Sequence, residues 1–70
     1  MNVMPLDKSN KYFQVSISAV EWFTACEIDS GWHIVNMHGR VLKPDGKRGK
    51  SIILAVKNAQ KMAVVRAVLG

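Results

Sequence analysis

The sequence predicts an α+β domain with the element order β-α-β-β-α and room for a closing β. Three observations carry that prediction. Residues 12–17 alternate between apolar and polar positions, the period of a half-buried strand. Ser18 and Glu21 stand in the S-x-x-E spacing of a capping box. Ser51 precedes a long apolar stripe of helical period. A composition of 49% hydrophobic and 21% charged residues marks a globular chain rather than a disordered one.

Residues 1–10 show no period, and Pro5 argues against a helix there. They read as an N-terminal arm, with residues 11–70 as a single domain. In the first strand Phe13, Val15 and Ile17 point one way, and Tyr12, Gln14 and Ser16 the other. Residues 18–29 admit two readings. Trp22, Phe23, Thr24 and Ile28 favour a sheet. Against this, no Gly, Asn, Asp or Pro lies between Tyr12 and Ile28 to turn a hairpin. Ala19, Trp22, Phe23 and Cys26 recur at helical spacing, and Gly31 supplies a stop signal. The helix is the favoured reading.

Residues 32–37 read as a strand, His38-Gly39 as its turn, and Arg40 to Lys43 as a short return strand. Pro44-Asp45-Gly46 is a further turn. Ser51 then caps a second helix whose stripe is Ile52, Ala55, Val56, Ala59 and Ala63. Over residues 64–69 the alternation of Val65, Ala67 and Leu69 against Val64, Arg66 and Val68 fits a strand better than a helix. The expected arrangement is a small ferredoxin-like split βαβ domain. The alternative is a three-stranded antiparallel sheet covered by one C-terminal helix.

Charge is distributed unevenly. The chain carries ten Lys and Arg against five Asp and Glu, net +5. Residues 1–37 hold two cations against four acids, and residues 38–70 hold eight cations against Asp45 alone. Such asymmetry favours a polyanionic partner. A solvated loop and helix face that keep an apolar chain in solution account for it almost as well. For a chain of 70 residues the apolar content is high, which predicts surface covered by a partner or a second copy.

Gly46 to Ser51 has the look of a phosphate loop, but the pattern needs glycine where Pro44 stands. What remains is a flexible loop feeding a helix start, with Lys47, Arg48 and Lys50 around it. Residues 46–63 also resemble, over about a quarter of the chain, the second-helix start of double-stranded RNA-binding domains, through Ser51, Ala55 and Ala59. Ile52 and Ile53 stand where that family has lysines, so no role is carried over.

His33, Met37 and His38 lack the further ligands a metal needs. Cys26 lies among apolar residues as core. No paired acids or nucleophile-base set stands out, so neither catalysis, cofactor nor metal is expected. A lone cysteine, no leader-like opening and no apolar run of membrane-spanning length lead to the expectation of a cytoplasmic chain with no membrane partner.

The leading functional expectation is a nucleic-acid-binding module, for DNA or RNA. It would hold phosphates through Arg40, Lys43, Lys47, Arg48, Lys50 and Ser51, with Lys57 and Lys61 on the helix behind them. The second is a protein-binding factor or inhibitor, or a homo-oligomer, that uses Trp32, Val64, Val68 and Leu69. An acidic protein surface would suit the same basic residues.

Overall fold

The computed structural model describes the backbone of residues 1–69 and the side chains of residues 1–65. Five strands precede one helix: β1 (Asn2–Pro5), β2 (Tyr12–Ser18), β3 (Glu21–Ile28), β4 (Gly31–Asn36), β5 (Val41–Leu42) and α1 (Lys47–Leu69). The strands form one antiparallel meander in the order β1-β2-β3-β4-β5, and α1 packs across one face. The class is α+β, as expected. The ferredoxin-like arrangement is not: there is no crossover helix, and the sheet with a single C-terminal helix is the closer description, with five strands rather than three.

The decisive correction concerns residues 18–29. Glu21–Ile28 within this stretch form β3, not a helix, and pair with both β2 and β4. The turn into β3 is Ala19-Val20, in which the Ser18 hydroxyl accepts the Val20 amide at 3.3 Å. Neither turn residue takes a positive φ. A bulge between Ser16 and Ser18 takes up the twist instead, so the hairpin closes without glycine or asparagine. Gly31, at φ 121°, turns β3 into β4 rather than ending a helix.

The N-terminal stretch is also more than an arm. Val3 pairs with Val15 and Pro5 with Phe13, which makes β1 an edge strand, where proline is tolerated. At the other edge, the Asn36 carboxamide oxygen accepts the amides of His38 and Arg40, each at 2.9 Å, and Gly39 takes φ 84° as its turn position suggests.

The core lies between sheet and helix. Phe13, Val15, Phe23, Ala25 and Ile34 meet Ile52 and Val56, and all seven are buried. Trp32, Leu42, Ile53 and Ala59 close its margins. Helix α1 starts four residues before Ser51. The Lys50 amide donates to the Gly46 carbonyl at 2.9 Å, and the Ser51 hydroxyl donates back to the Lys47 carbonyl at 3.2 Å. Ser51 is therefore a second-turn residue rather than a cap.

Gly49 is what brings the helix close. A Cβ there would lie 2.2 Å from the Lys43 carbonyl oxygen and 2.9 Å from Pro44 Cα. Glycine inside a helix costs about 1 kcal/mol relative to alanine, and here the cost secures the approach of the 43–46 turn.

The tail is helical through Leu69, not a strand. Its backbone bonds stay within the segment, which continues α1 without a break. Gln60 ties the helix to the opposite end of the sheet, where its side-chain amide donates to the Asn10 carbonyl at 2.9 Å. Beyond Gln60, Lys61 to Val65 are exposed. Met62, Ala63 and Val64 line a groove of about 570 Å³ with Val3, Pro5 and Asn10.

Candidate functional site

Helix α1 contains no acidic residue. Lys47, Lys50, Leu54, Lys57 and Lys61 follow one another at alternating steps of three and four, so they stack along one side of the helix. All five are exposed. The core residues Ile52 and Val56 fall on the opposite side. The result is a cationic ridge about 21 Å long at 1.5 Å per residue. Only Leu54, 62% exposed, interrupts it.

Three cations, Lys47, Arg48 and Lys50, crowd the first turn of the helix, and that turn has no acid. The helix dipole is positive there, so each cation is disfavoured by about 0.3–1 kcal/mol at the surface. An anion held at this end relieves both the dipole and the mutual repulsion of the side chains.

The eight residues singled out in the sequence divide into four groups. Lys47, Lys50, Lys57 and Lys61 are united on the ridge. Arg48 is turned away from it. Its guanidinium donates to Glu21 at 3.2 Å and stands 5.9 Å from the centroid of the Phe23 ring. That surface pair spans from the helix start to β3 and leaves Arg48 less available to a phosphate. Ser51 is engaged with the Lys47 carbonyl, so the anion-binding arrangement expected around its amide does not form. Arg40 and Lys43 are exposed on the loops that flank β5, with Lys43 contributing its carbonyl to the turn before α1.

The expected apolar interface is scattered. Trp32 packs half-buried against the core on the helix side of the sheet. Val64 is exposed, at 58%. The side chains of Val68 and Leu69 lie outside the described residues. His33 and Cys26 are cross-strand neighbours, yet among the described residues no group of three or more His, Cys, Asp or Glu is placed to hold a metal. No helix of the described residues is long and apolar enough to cross a membrane.

One surface escaped the sequence reading. The sheet face away from α1 carries Met4, Gln14, Thr24, Val35 and Val41 in a row across all five strands. A second row holds Tyr12, Cys26 and His33, and Trp22 sits beside Ser16. Among the described residues no Lys, Arg, Asp or Glu occupies this face. The signal lay in the alternate positions of residues 12–16, 22–28 and 33–35, but the helical reading of 18–29 broke the sheet that unites them. No protein-family model matches the chain, and no curated protein or solved structure matches it.

Proposed function

We propose that the protein is a small non-enzymatic module that binds the phosphate backbone of nucleic acid through the α1 ridge. Lys47, Lys50, Lys57 and Lys61 neutralise phosphates, and Arg40 and Lys43 add charge from the loops leading to the helix. The observation that carries this reading is the acid-free lysine ridge, loaded most heavily where the helix dipole already disfavours cations. The ridge presents ammonium groups only. Contacts of that kind hold the backbone without reading base edges, so binding is largely independent of sequence.

The test is the salt dependence of binding to a short duplex. Four neutralised phosphates give a slope of log K against log salt of about −3.6. In the double variant Lys50→Gln/Lys57→Gln the slope is expected to become shallower by about 2. Absence of binding at low salt, or affinity indifferent to salt, contradicts the proposal. The protein-binding reading has its own support in the uncharged sheet face.

A further inference from the structure

We infer that the open face of the sheet is a homodimer interface, on which a second copy of this chain packs sheet against sheet with the two helices outermost.

An antiparallel sheet with one face in water ordinarily alternates apolar residues inward with polar, often charged, residues outward. Here the inward positions obey the rule: Phe13, Val15, Phe23, Ala25 and Ile34 are all buried. The outward positions obey it only in part: Gln14, Ser16, Thr24 and His33 are polar, but large apolar groups stand among them. They include Trp22 at 37% exposure, Tyr12 at 43%, Met4 at 51% and Val41 at 67%, with no Lys, Arg, Asp or Glu among them. Depletion of charge with enrichment of Trp, Tyr and Met is the composition of the centre of a protein interface.

Charge placement selects the occupant. Each chain is +5 overall, and the ridge of Lys47, Lys50, Lys57 and Lys61 lies on the helix layer. Two copies joined through their helices would press these ridges together. Joined through their sheets, they present the ridges on opposite outer surfaces. Each chain measures 20 Å through its thinnest dimension. With sheets stacked about 10 Å apart, the ridges lie several Debye lengths from one another, one Debye length being about 8 Å at physiological salt. A polyanion suits this face poorly, because the face offers no cation. A partner with a charged surface would bury those charges unpaired.

The size of the face is near what an interface needs. The strands hold four, seven, eight, six and two residues. At about 3.3 Å by about 4.8 Å per residue they present roughly 430 Å² per copy and about 860 Å² per pair before side-chain relief is counted, close to the roughly 1,000 Å² at which specific interfaces begin. Pairing edge to edge is the weaker route to a dimer. The edge strands β1 and β5 have four and two residues, and β1 ends in Pro5. The dimer carries two lysine ridges facing opposite ways, so it can engage two nucleic-acid segments at once. Its formation does not depend on the nucleic-acid reading, and its test uses no nucleic acid.

The experiment is sedimentation equilibrium of the full chain from low micromolar to several hundred micromolar, with Thr24→Arg and Met62→Lys alongside. Thr24 lies at the centre of the open face and Met62 on the exposed end of α1. The wild type is expected to pass from monomer to dimer over this range. Thr24→Arg should weaken the dimer by at least about a hundredfold, and Met62→Lys should leave it unchanged. A wild type that stays monomeric throughout overturns the inference. So does a dimer that survives Thr24→Arg and is lost in Met62→Lys.

Alkylation of Cys26 in the unaltered chain decides the matter should Thr24→Arg fail to fold. Cys26 is the only cysteine and stands on the open face. Its rate of alkylation should fall as the dimer forms. A rate constant across the same concentrations overturns the proposal.

Discussion

The two outer surfaces of the molecule are built on opposite principles. The helix surface carries four lysines in line and no acid. The sheet surface, on the other side of the same core, carries no Lys, Arg, Asp or Glu among the described residues. Neither is the mixed-sign surface that keeps an ordinary small domain soluble and monomeric. Each surface is incomplete in water alone. One lacks counter-charge and the other lacks cover. The basic charge thus belongs to the helix layer, and the two proposed roles, polyanion binding and self-association, would fall on opposite sides of the core.

The sharpest way to separate the layers is to mutate neighbours that point in opposite directions. Phe13 is 1% exposed and faces α1, whereas Tyr12 is 43% exposed on the open face. Phe13→Ala is expected to cost about 3–5 kcal/mol, a large share of the stability of a domain this size. Tyr12→Ala should cost less than about 1 kcal/mol in dilute solution and show its effect on self-association instead. Urea denaturation at low protein concentration measures both.

The next largest effect tests how the helix layer is set on the sheet. Gly49→Ala gains helix propensity but drives a Cβ into the Lys43 carbonyl, 2.2 Å away. A net loss of about 1–3 kcal/mol is expected, read as a lower denaturation midpoint. A gain would mean that the 43–46 turn gives way easily.

Removing charge from the ridge should act on binding and not on folding. Lys50→Gln is expected to change stability by no more than about 0.5 kcal/mol, toward greater stability because it removes a cation from the positive end of the helix dipole. Thermal unfolding at low salt tests the sign. A destabilised variant would show that the lysine packs rather than waits for an anion.

The smallest effect concerns the pair between the layers. Arg48 and Glu21 are 52% and 43% exposed, and their contact is 3.2 Å. Glu21→Gln should cost no more than about 0.5 kcal/mol after screening by solvent. Its more telling consequence is release of Arg48 toward the ridge, measured as tighter binding to a duplex at low salt.

Much of the fold can be read from the residues, and the misreadings have physical causes. The alternation in β2 is plain because its outward residues, Gln14 and Ser16, are polar while Val15 is apolar. The β4–β5 turn is plain because Gly39 supplies the positive φ. Strand β3 was hidden by the very feature that sets the open face apart. Trp22 and Cys26 point outward while Phe23 and Ala25 point inward. Apolar groups on both sides erase the two-residue period and leave spacings that imitate a helix.

The tail misled for a related reason. Val64, Val65 and Val68 favour strands intrinsically, but the segment continues α1 without a break and closes its backbone bonds within the helix. Four members of the candidate site, Lys47, Lys50, Lys57 and Lys61, could be identified from charge alone. Their alignment on one ridge, and the engagement of Arg48 and Ser51 elsewhere, required the true start of α1, which lies four residues ahead of the serine that resembles a cap.

The division of labour between the two surfaces is tested most directly by following backbone amide shifts of the whole chain while a short oligonucleotide is added at low salt. The account predicts shifts concentrated from Lys47 to Lys61, with Trp22 to Cys26 and His33 to Val35 unmoved. Shifts centred on those sheet residues, with the helix silent, would contradict it.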